Sequence, residues 1–188
     1  MKLSTTRLIL RDIKKTDAGS ILKYINNLMV SRYLLVVPFP YTKKDANWWV
    51  NNCAENQKKK PRISYELGIT IKPKNEIIGG VGVSKIDEFQ GTAEIGYWLG
   101  EPYWRNGYMS EAAEKIIDFA FNDLKLRKLK IPAFAVNKAS NGLARKLGFT
   151  LEGTLRKHCR AKSTGKIHDE NIYGLFRNEW KSAKKRLR

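Results

Sequence analysis

Between Tyr103 and Glu111 the chain reads Tyr103-Trp104-Arg105-Asn106-Gly107-Tyr108-Met109-Ser110-Glu111, and residues of these types at this spacing suit one chemistry, the holding of a phosphate. A glycine turn lets backbone amides converge. Where a helix begins at such a turn, its first N–H groups have no internal partner and its dipole presents positive charge. Arg105 adds a full cation two residues before Gly107. Strand, turn and helix also describe ordinary connections, so the local pattern alone does not decide between the two.

The elements that must position this turn are legible on either side of it. From Thr92 to Leu99, Ala93, Ile95, Tyr97 and Leu99 alternate with Glu94, Gly96 and Trp98, a strand period bounded by Gly91 and Gly100. After the turn the period changes. Met109, Ala112, Ala113, Ile116, Ile117, Ala120 and Leu124 recur at three and four residues, which predicts a helix with one apolar stripe and Gly107 at its N-terminus.

The remaining chain predicts an α+β order. Arg7 to Arg11 reads as a first strand, and Asp17 to Asn27 as a helix with Ile21, Leu22, Tyr24, Ile25 and Leu28 inward. Pro38-Phe39-Pro40 breaks the chain before a second helix from Thr42 to Gln57 that carries Trp48 and Trp49. A hairpin follows, Ile63 to Ile71 and Glu76 to Ser84, turned by Lys72-Pro73-Lys74-Asn75. Beyond the long helix come a strand near Lys128 to Val136, a short helix from Ser140 to Leu147, and strands over Phe149 to His158 and Lys166 to Arg177. Pro132 cannot donate to a ladder, so its strand is expected to part from a neighbour there.

With 188 residues the chain suits one domain, taken as residues 1–180 followed by a basic tail over 181–188. Cys53 and Cys159 lie far apart with no secretory signal and no apolar run of transmembrane length, which fits packing thiols in a reduced, cytoplasmic setting. The formal charge of +18 is uneven. Residues 125–188 hold 18 Lys or Arg against four acids, a net +14, while the first 124 hold 18 bases and 14 acids, a net +4. Such a field favours polyanions or acidic protein surfaces, or is simply solvated.

The motifs Glu94-Ile95-Gly96-Tyr97-Trp98-Leu99, Tyr103 to Ala112, Asn137-Lys138-Ala139-Ser140-Asn141 and Lys146-Leu147-Gly148-Phe149, in this order, resemble those of the GNAT superfamily of acetyl-CoA-dependent N-acetyltransferases. Within it the chain is similar to the Rim-type branch, whose named members acetylate the N-termini of ribosomal proteins. The resemblance runs from Thr6 to Trp180. It implies a central mixed, mostly antiparallel sheet of about seven strands flanked by about four helices, with splayed central strands holding the CoA arm. The cosubstrate implied is acetyl-CoA, and no metal is expected.

By the same resemblance, Trp104, Arg105, Asn106, Gly107, Tyr108, Met109 and Ser110 form the pyrophosphate turn. Trp104 and Met109 depart from the usual pattern, and Met109 is expected to face the core. Backbone groups of Trp98 and Leu99 are implied to bond the pantetheine amides, as an added strand would. Asn137, Asn141 and Lys146 complete the cofactor contacts. Direct acetyl transfer needs a neutral amine, a donor for the oxyanion and a proton for the departing thiolate, but no covalent nucleophile. Glu94 is the implied base, or else a strand-face carboxylate in a salt bridge. Ser140 is the implied acid, and Asn137 an aid to the cofactor or the helix N-cap, roles that are compatible. No tyrosine lies between Val136 and Phe149, and Tyr173 is a distant fallback.

An α-amine titrates near about 8 and a lysine near about 10.4, so the α-amine is neutral roughly two hundred times more often, a difference of about 3 kcal/mol. That favours a protein N-terminus as acceptor. Arg156, His158, Arg160 and Lys162 alternate along one strand and lead to Ser163-Thr164-Gly165, the tip that overhangs the acceptor groove in this family. An acidic partner such as a ribosomal protein would complement them, in a monomer or homodimer without membrane contact. Two alternatives stay open: a small-molecule amine acetyltransferase, and a non-catalytic ribosome- or RNA-binding module whose affinity would fall steeply with salt.

Overall fold

The apolar stripe after Gly107 closes into a helix because it has a sheet to lie on. The computed structural model describes residues 1–186. Strands β1 (Lys2–Ser4) and β2 (Leu8–Asp12) lead through a 3₁₀ turn (Lys15–Asp17) to helices α1 (Ala18–Ile25), α2 (Leu28–Ser31) and α3 (Lys43–Lys58). Strands β3 (Tyr65–Ile71), β4 (Gly79–Asp87) and β5 (Thr92–Leu99) precede helix α4 (Tyr108–Asn122). Strand β6 (Lys128–Phe134), helix α5 (Lys138–Lys146), strands β7 (Thr150–Arg160) and β8 (Ile167–Phe176), and helix α6 (Arg177–Arg186) complete the described chain.

The strands form one eight-stranded sheet in the order β1-β2-β3-β4-β5-β6-β8-β7. Every pairing is antiparallel except β5 with β6. Helix α4 buries Ala112, Ala113, Ile116, Ile117, Ala120 and Phe121 against Leu67, Ile69, Val81, Val83, Ile95 and Leu129 on one face of the sheet. Each fully buried Ile or Phe there contributes about 1.5–3 kcal/mol. On the other face α1 and α3 supply Ile21, Ile25, Ala46, Val50 and Cys53 to a second cluster with Ile13 and Ile77.

Several expected boundaries move. The helix expected from Asp17 to Asn27 stops at Ile25, because the Asn27 side chain caps α2 by accepting from Met29 N. Leu28, expected inward, is consequently 40% exposed. Trp48 is also on the outside. The stretch from Lys181, expected as a tail, is helical to Arg186 and buries Ala183 beside Trp180 in the main core; residues 187 and 188 lie outside the described residues. Strand β1 had no signal in the sequence, since three residues are too few to show a period.

Candidate active site

The parallel ladder of β5 and β6 is short. It pairs Thr92 with Lys128, Ala93 with Leu129 and Glu94 with Lys130, and ends there. Beyond that rung β5 continues along β4 to Leu99, and β6 continues along β8 to Phe134, so the two strands separate. Pro132 lies past the last rung, where a missing N–H costs the β5 side nothing. One edge of β5, from Ile95 to Trp98, thus offers backbone groups to whatever enters the split, while Leu99 O at its end is taken by the Trp104 indole.

The chain leaves β5 through a short 3₁₀ turn (Glu101–Tyr103) and reaches the start of α4. Gly107 is the N-cap of α4, with φ 76°, in the left-handed region that favours glycine, and no side chain caps that end. The first-turn amides are therefore free for an anion. Arg105 is also left-handed, with φ 62°. The Trp104 indole N–H donates to Leu99 O at 2.7 Å, so this side chain fastens the turn to the end of β5. Met109 packs partly against the core, and Tyr108 and Ser110 are half-buried.

Arg7 ties the turn from the other end of the sequence. Its Nη1 donates to Asn106 O at 3.0 Å, its Nε to Glu111 Oε2 at 2.7 Å, and its guanidinium lies 4.6 Å from the centre of the Tyr108 ring. Burial would raise the Glu111 carboxyl, but the Thr5 hydroxyl and Arg7 outweigh it and hold the group below its usual range. A Cβ at Gly107 would come within 3.4 Å of Arg7 Nη2, which places the cation directly over the turn. No local sequence signal marks Arg7, because its partners are about a hundred residues away.

Asn137 is the N-cap of α5 and accepts from Ser140 N at 3.2 Å. The Ser140 hydroxyl shares a 2.9 Å hydrogen bond with the Tyr97 hydroxyl of β5, so the two meet across the split. Burial pushes the Tyr97 phenol up to about 12, against the smaller pull of that bond, and it stays protonated at ordinary pH. Tyr97 reaches α5 from the facing strand, so no local spacing in the sequence links it to Ser140.

One expected cofactor contact, Asn141, is engaged in the fold. Asn141 is 4% exposed, donates to Phe134 O and Asn137 O, and accepts from Asn171 and the Tyr173 hydroxyl. Its amide holds β6, α5 and β8 together. Tyr173 is fully buried, with its hydroxyl also taking Arg145, and so has no route to a thiolate. Lys146 is exposed at the end of α5, near enough to α4 to act on Glu114. The Trp98 indole lies over Gly80 of β4, filling the place where a side chain would be, so the side chain packs on the sheet while its backbone edges the split.

Glu94 stands at the last rung before the strands part and pairs with Lys85 Nζ at 2.9 Å. Further along the same face, Glu66, Gly82 and Gly96 form a row across β3, β4 and β5. The Glu66 carboxylate reaches over Gly82, and nothing stands above Gly96. Burial pushes Glu66 up to about 7.

The β7–β8 hairpin is fixed at its tip. Its tip docks on the end of α2 and the chain after it, where Ser163 Oγ donates to Ser31 O at 3.0 Å and Lys162 N to Leu35 O at 3.1 Å. The expected simple alternation of Arg156, His158, Arg160 and Lys162 is interrupted. Leu155 pairs with Glu170 and Cys159 with His168, so Arg156, Lys157 and His158 face Asp169 alone in a bulge, with Lys157 at φ 48°. Burial, and the Glu170 carboxylate beside it, push the Cys159 thiol up to about 11.

A sheet that parts between β5 and β6, with α4 on one face and α1 and α3 on the other, superposes on an acetyltransferase of known structure. Residues 7–150 match the family described as acetyltransferase (GNAT) domain, and the chain belongs to that family of acetyl-CoA-dependent N-acetyltransferases. An uncharacterised N-acetyltransferase of Bacillus licheniformis is 33% identical over 95% of this chain and 97% of its own. The ribosomal-protein-serine acetyltransferase of Escherichia coli is 36% identical over 50% of this chain and 52% of its own. Among solved structures, the microcin C7 self-immunity acetyltransferase, in complex with acetyl-CoA and AMP, superposes with a TM-score of 0.79 at 27% identity, covering 92% of this chain and 93% of that one. Among the described residues no helix is long and apolar enough to cross a membrane.

Proposed function

We propose that this acetyltransferase acts in the cytoplasm on a protein N-terminal α-amine, of the ribosomal-protein type, by direct attack on the thioester of acetyl-CoA. The observation that carries the reading is the hairpin wall, where Arg156, Arg160 and Lys162 lead to a tip bonded to residues 31 and 35. Beside that tip Leu35, Val36 and Phe39 are exposed, so the groove has cations on one side and apolar contacts on the other. An extended, acidic or uncharged peptide end fits this surface, and a polycation does not.

In this reading the pyrophosphate rests on the amides after Gly107 with Arg105 and Arg7 adjacent, and the pantetheine arm extends β5 along its free edge. The amine nitrogen attacks the thioester carbonyl, and its proton passes to a carboxylate, Glu94 directly or through water. The C–S bond then breaks and the CoA thiolate takes a proton from Ser140, which Tyr97 orients and which regains a proton from solvent as the carboxylate releases the one it took; Asn137 keeps Ser140 in place through the cap. Resemblance to the E. coli ribosomal-protein-serine enzyme supports this acceptor class.

The test is free CoA released from acetyl-CoA with peptides beginning in serine, alanine or methionine, run beside simple amines. Higher kcat/KM for peptides is expected. Higher kcat/KM for the small amines replaces this reading with the second one, a small-molecule acetyltransferase, which the self-immunity enzyme found in complex with AMP supports. Neither acetyl-CoA binding by calorimetry nor CoA release with any acceptor would end both.

A further inference from the structure

The bulge in β7 does something that a regular strand cannot. Successive side chains on a strand point to opposite faces, yet His158 and Cys159 both converge on Glu170 of β8. The extra residues opposite Asp169, and the left-handed Lys157 whose N–H donates to Asp169 Oδ1 at 2.7 Å, turn the strand so that this becomes possible. Such a kink costs on the order of 1–3 kcal/mol and persists only where the surroundings enforce it.

We propose that His158, Cys159 and Glu170 form a binding site for a borderline divalent transition metal such as Zn2+. The donor atoms, His158 Nε2, Cys159 Sγ and one Glu170 oxygen, all lie within 4.8 Å of one another, with Nε2 and Oε2 3.6 Å apart. Ligands bonded at about 2.0–2.3 Å in a tetrahedron stand about 3.3–3.8 Å apart, so one side chain has to close by about 1 Å. His158, half-exposed, is free to do so, while Cys159 and Glu170 are 7% and 8% exposed and form a fixed base.

Nitrogen, sulfur and oxygen donors together select Zn2+ or Co2+ over Mg2+ or Ca2+, which prefer oxygen alone. Three protein ligands leave a fourth position open. Cys159 packs on Phe134 and Tyr33, and Lys85, the partner of Glu94, is close enough to act on its thiol, so the ion would sit on the wall of the acceptor groove. On binding, the thiol gives up its proton to solvent and a metal–thiolate bond forms, with no change of oxidation state.

The experiment uses the whole reduced protein and does not depend on any acetyltransferase assay. Co2+ is titrated by absorbance and Zn2+ by calorimetry, on the wild type and on Cys159→Ser, Cys53→Ser and His158→Ala. The expected result is one equivalent bound, with a thiolate-to-cobalt charge-transfer band. Cys159→Ser should lose that band, Cys53→Ser should keep it, and His158→Ala should weaken Zn2+ at least tenfold. His158 is a surface side chain, so that variant remains informative if Cys159→Ser folds poorly. The proposal is overturned by a wild type without the band, by a band that survives Cys159→Ser, or by His158→Ala binding Zn2+ within threefold of wild type.

Discussion

The turn that opens α4 and the hairpin of β7 and β8 are built by different means. The turn relies on backbone amides and on a glycine conformation, braced by Arg7, Glu111 and Trp104. The hairpin relies on exposed side chains, a bulge and two bonds from its tip to residues 31 and 35. A surface that binds the same donor every time can be built from backbone, whose groups do not change with side-chain type. A surface that selects an acceptor has to be built from side chains, because these are what a different acceptor would require to differ.

That contrast can be broken at several points. The largest effect is expected from Ser140→Ala, with kcat down about a hundredfold or more and acetyl-CoA affinity nearly unchanged, since a general acid contributes roughly 10²–10⁴. Stopped-flow measurement of CoA release reads both, and an equal loss in binding would make Ser140 a donor-side residue instead. Next, Gly107→Val should weaken acetyl-CoA by about thirtyfold, roughly 2 kcal/mol, through a φ of 76° that a β-branched residue resists. Calorimetry showing affinity within threefold would move the pyrophosphate away from this turn.

Glu94→Gln should lower turnover by about tenfold or more, most visibly at low pH; an unchanged pH profile of kcat/KM removes Glu94 as base. Glu66 gives a prediction in stability. Its folded carboxyl, at about 7, lies above the ordinary 4.5, so the native state binds that proton more tightly and stability falls as pH rises through this window. Glu66→Gln should therefore raise the melting temperature at pH 8, by on the order of 2 kcal/mol in stability, and leave it nearly unchanged at pH 4. Equal gains at both would remove the titration from the explanation. The smallest effect is expected from Arg156→Glu with Arg160→Glu, which should cut kcat/KM for an acidic peptide about fivefold and leave acetyl-CoA binding alone. Loss of donor affinity in that variant would erase the division between the two surfaces.

What the sequence allowed follows the same division. Strand β5 has the bounds expected from its alternation, and α4 has its stripe and its N-terminal glycine where the spacing put them. These are local periods, set by neighbours a few residues apart. Pro132 was legible as a place of separation because proline lacks a donor wherever it stands. Arg7 over the turn and Tyr97 against Ser140 were not legible, since each contact joins residues far apart in the chain. The internal role of Asn141 was not legible for a related reason: its four hydrogen bonds join β6, α5 and β8, which the motif alone does not bring together. The bulge escaped because an alternating run of exposed residues carries no mark of where its register slips.

The early end of the β5–β6 ladder has a mechanical meaning as well. A sheet that is bonded on one side of the split and open on the other resembles an arch without its keystone, and a donor that bonded along β5, as proposed above, would supply the missing piece. Occupancy then adds to rigidity by mass action, about 2.7 kcal/mol at a hundredfold excess over Kd. On the reading proposed above, resistance to heat and proteolysis would rise with the concentration of acetyl-CoA.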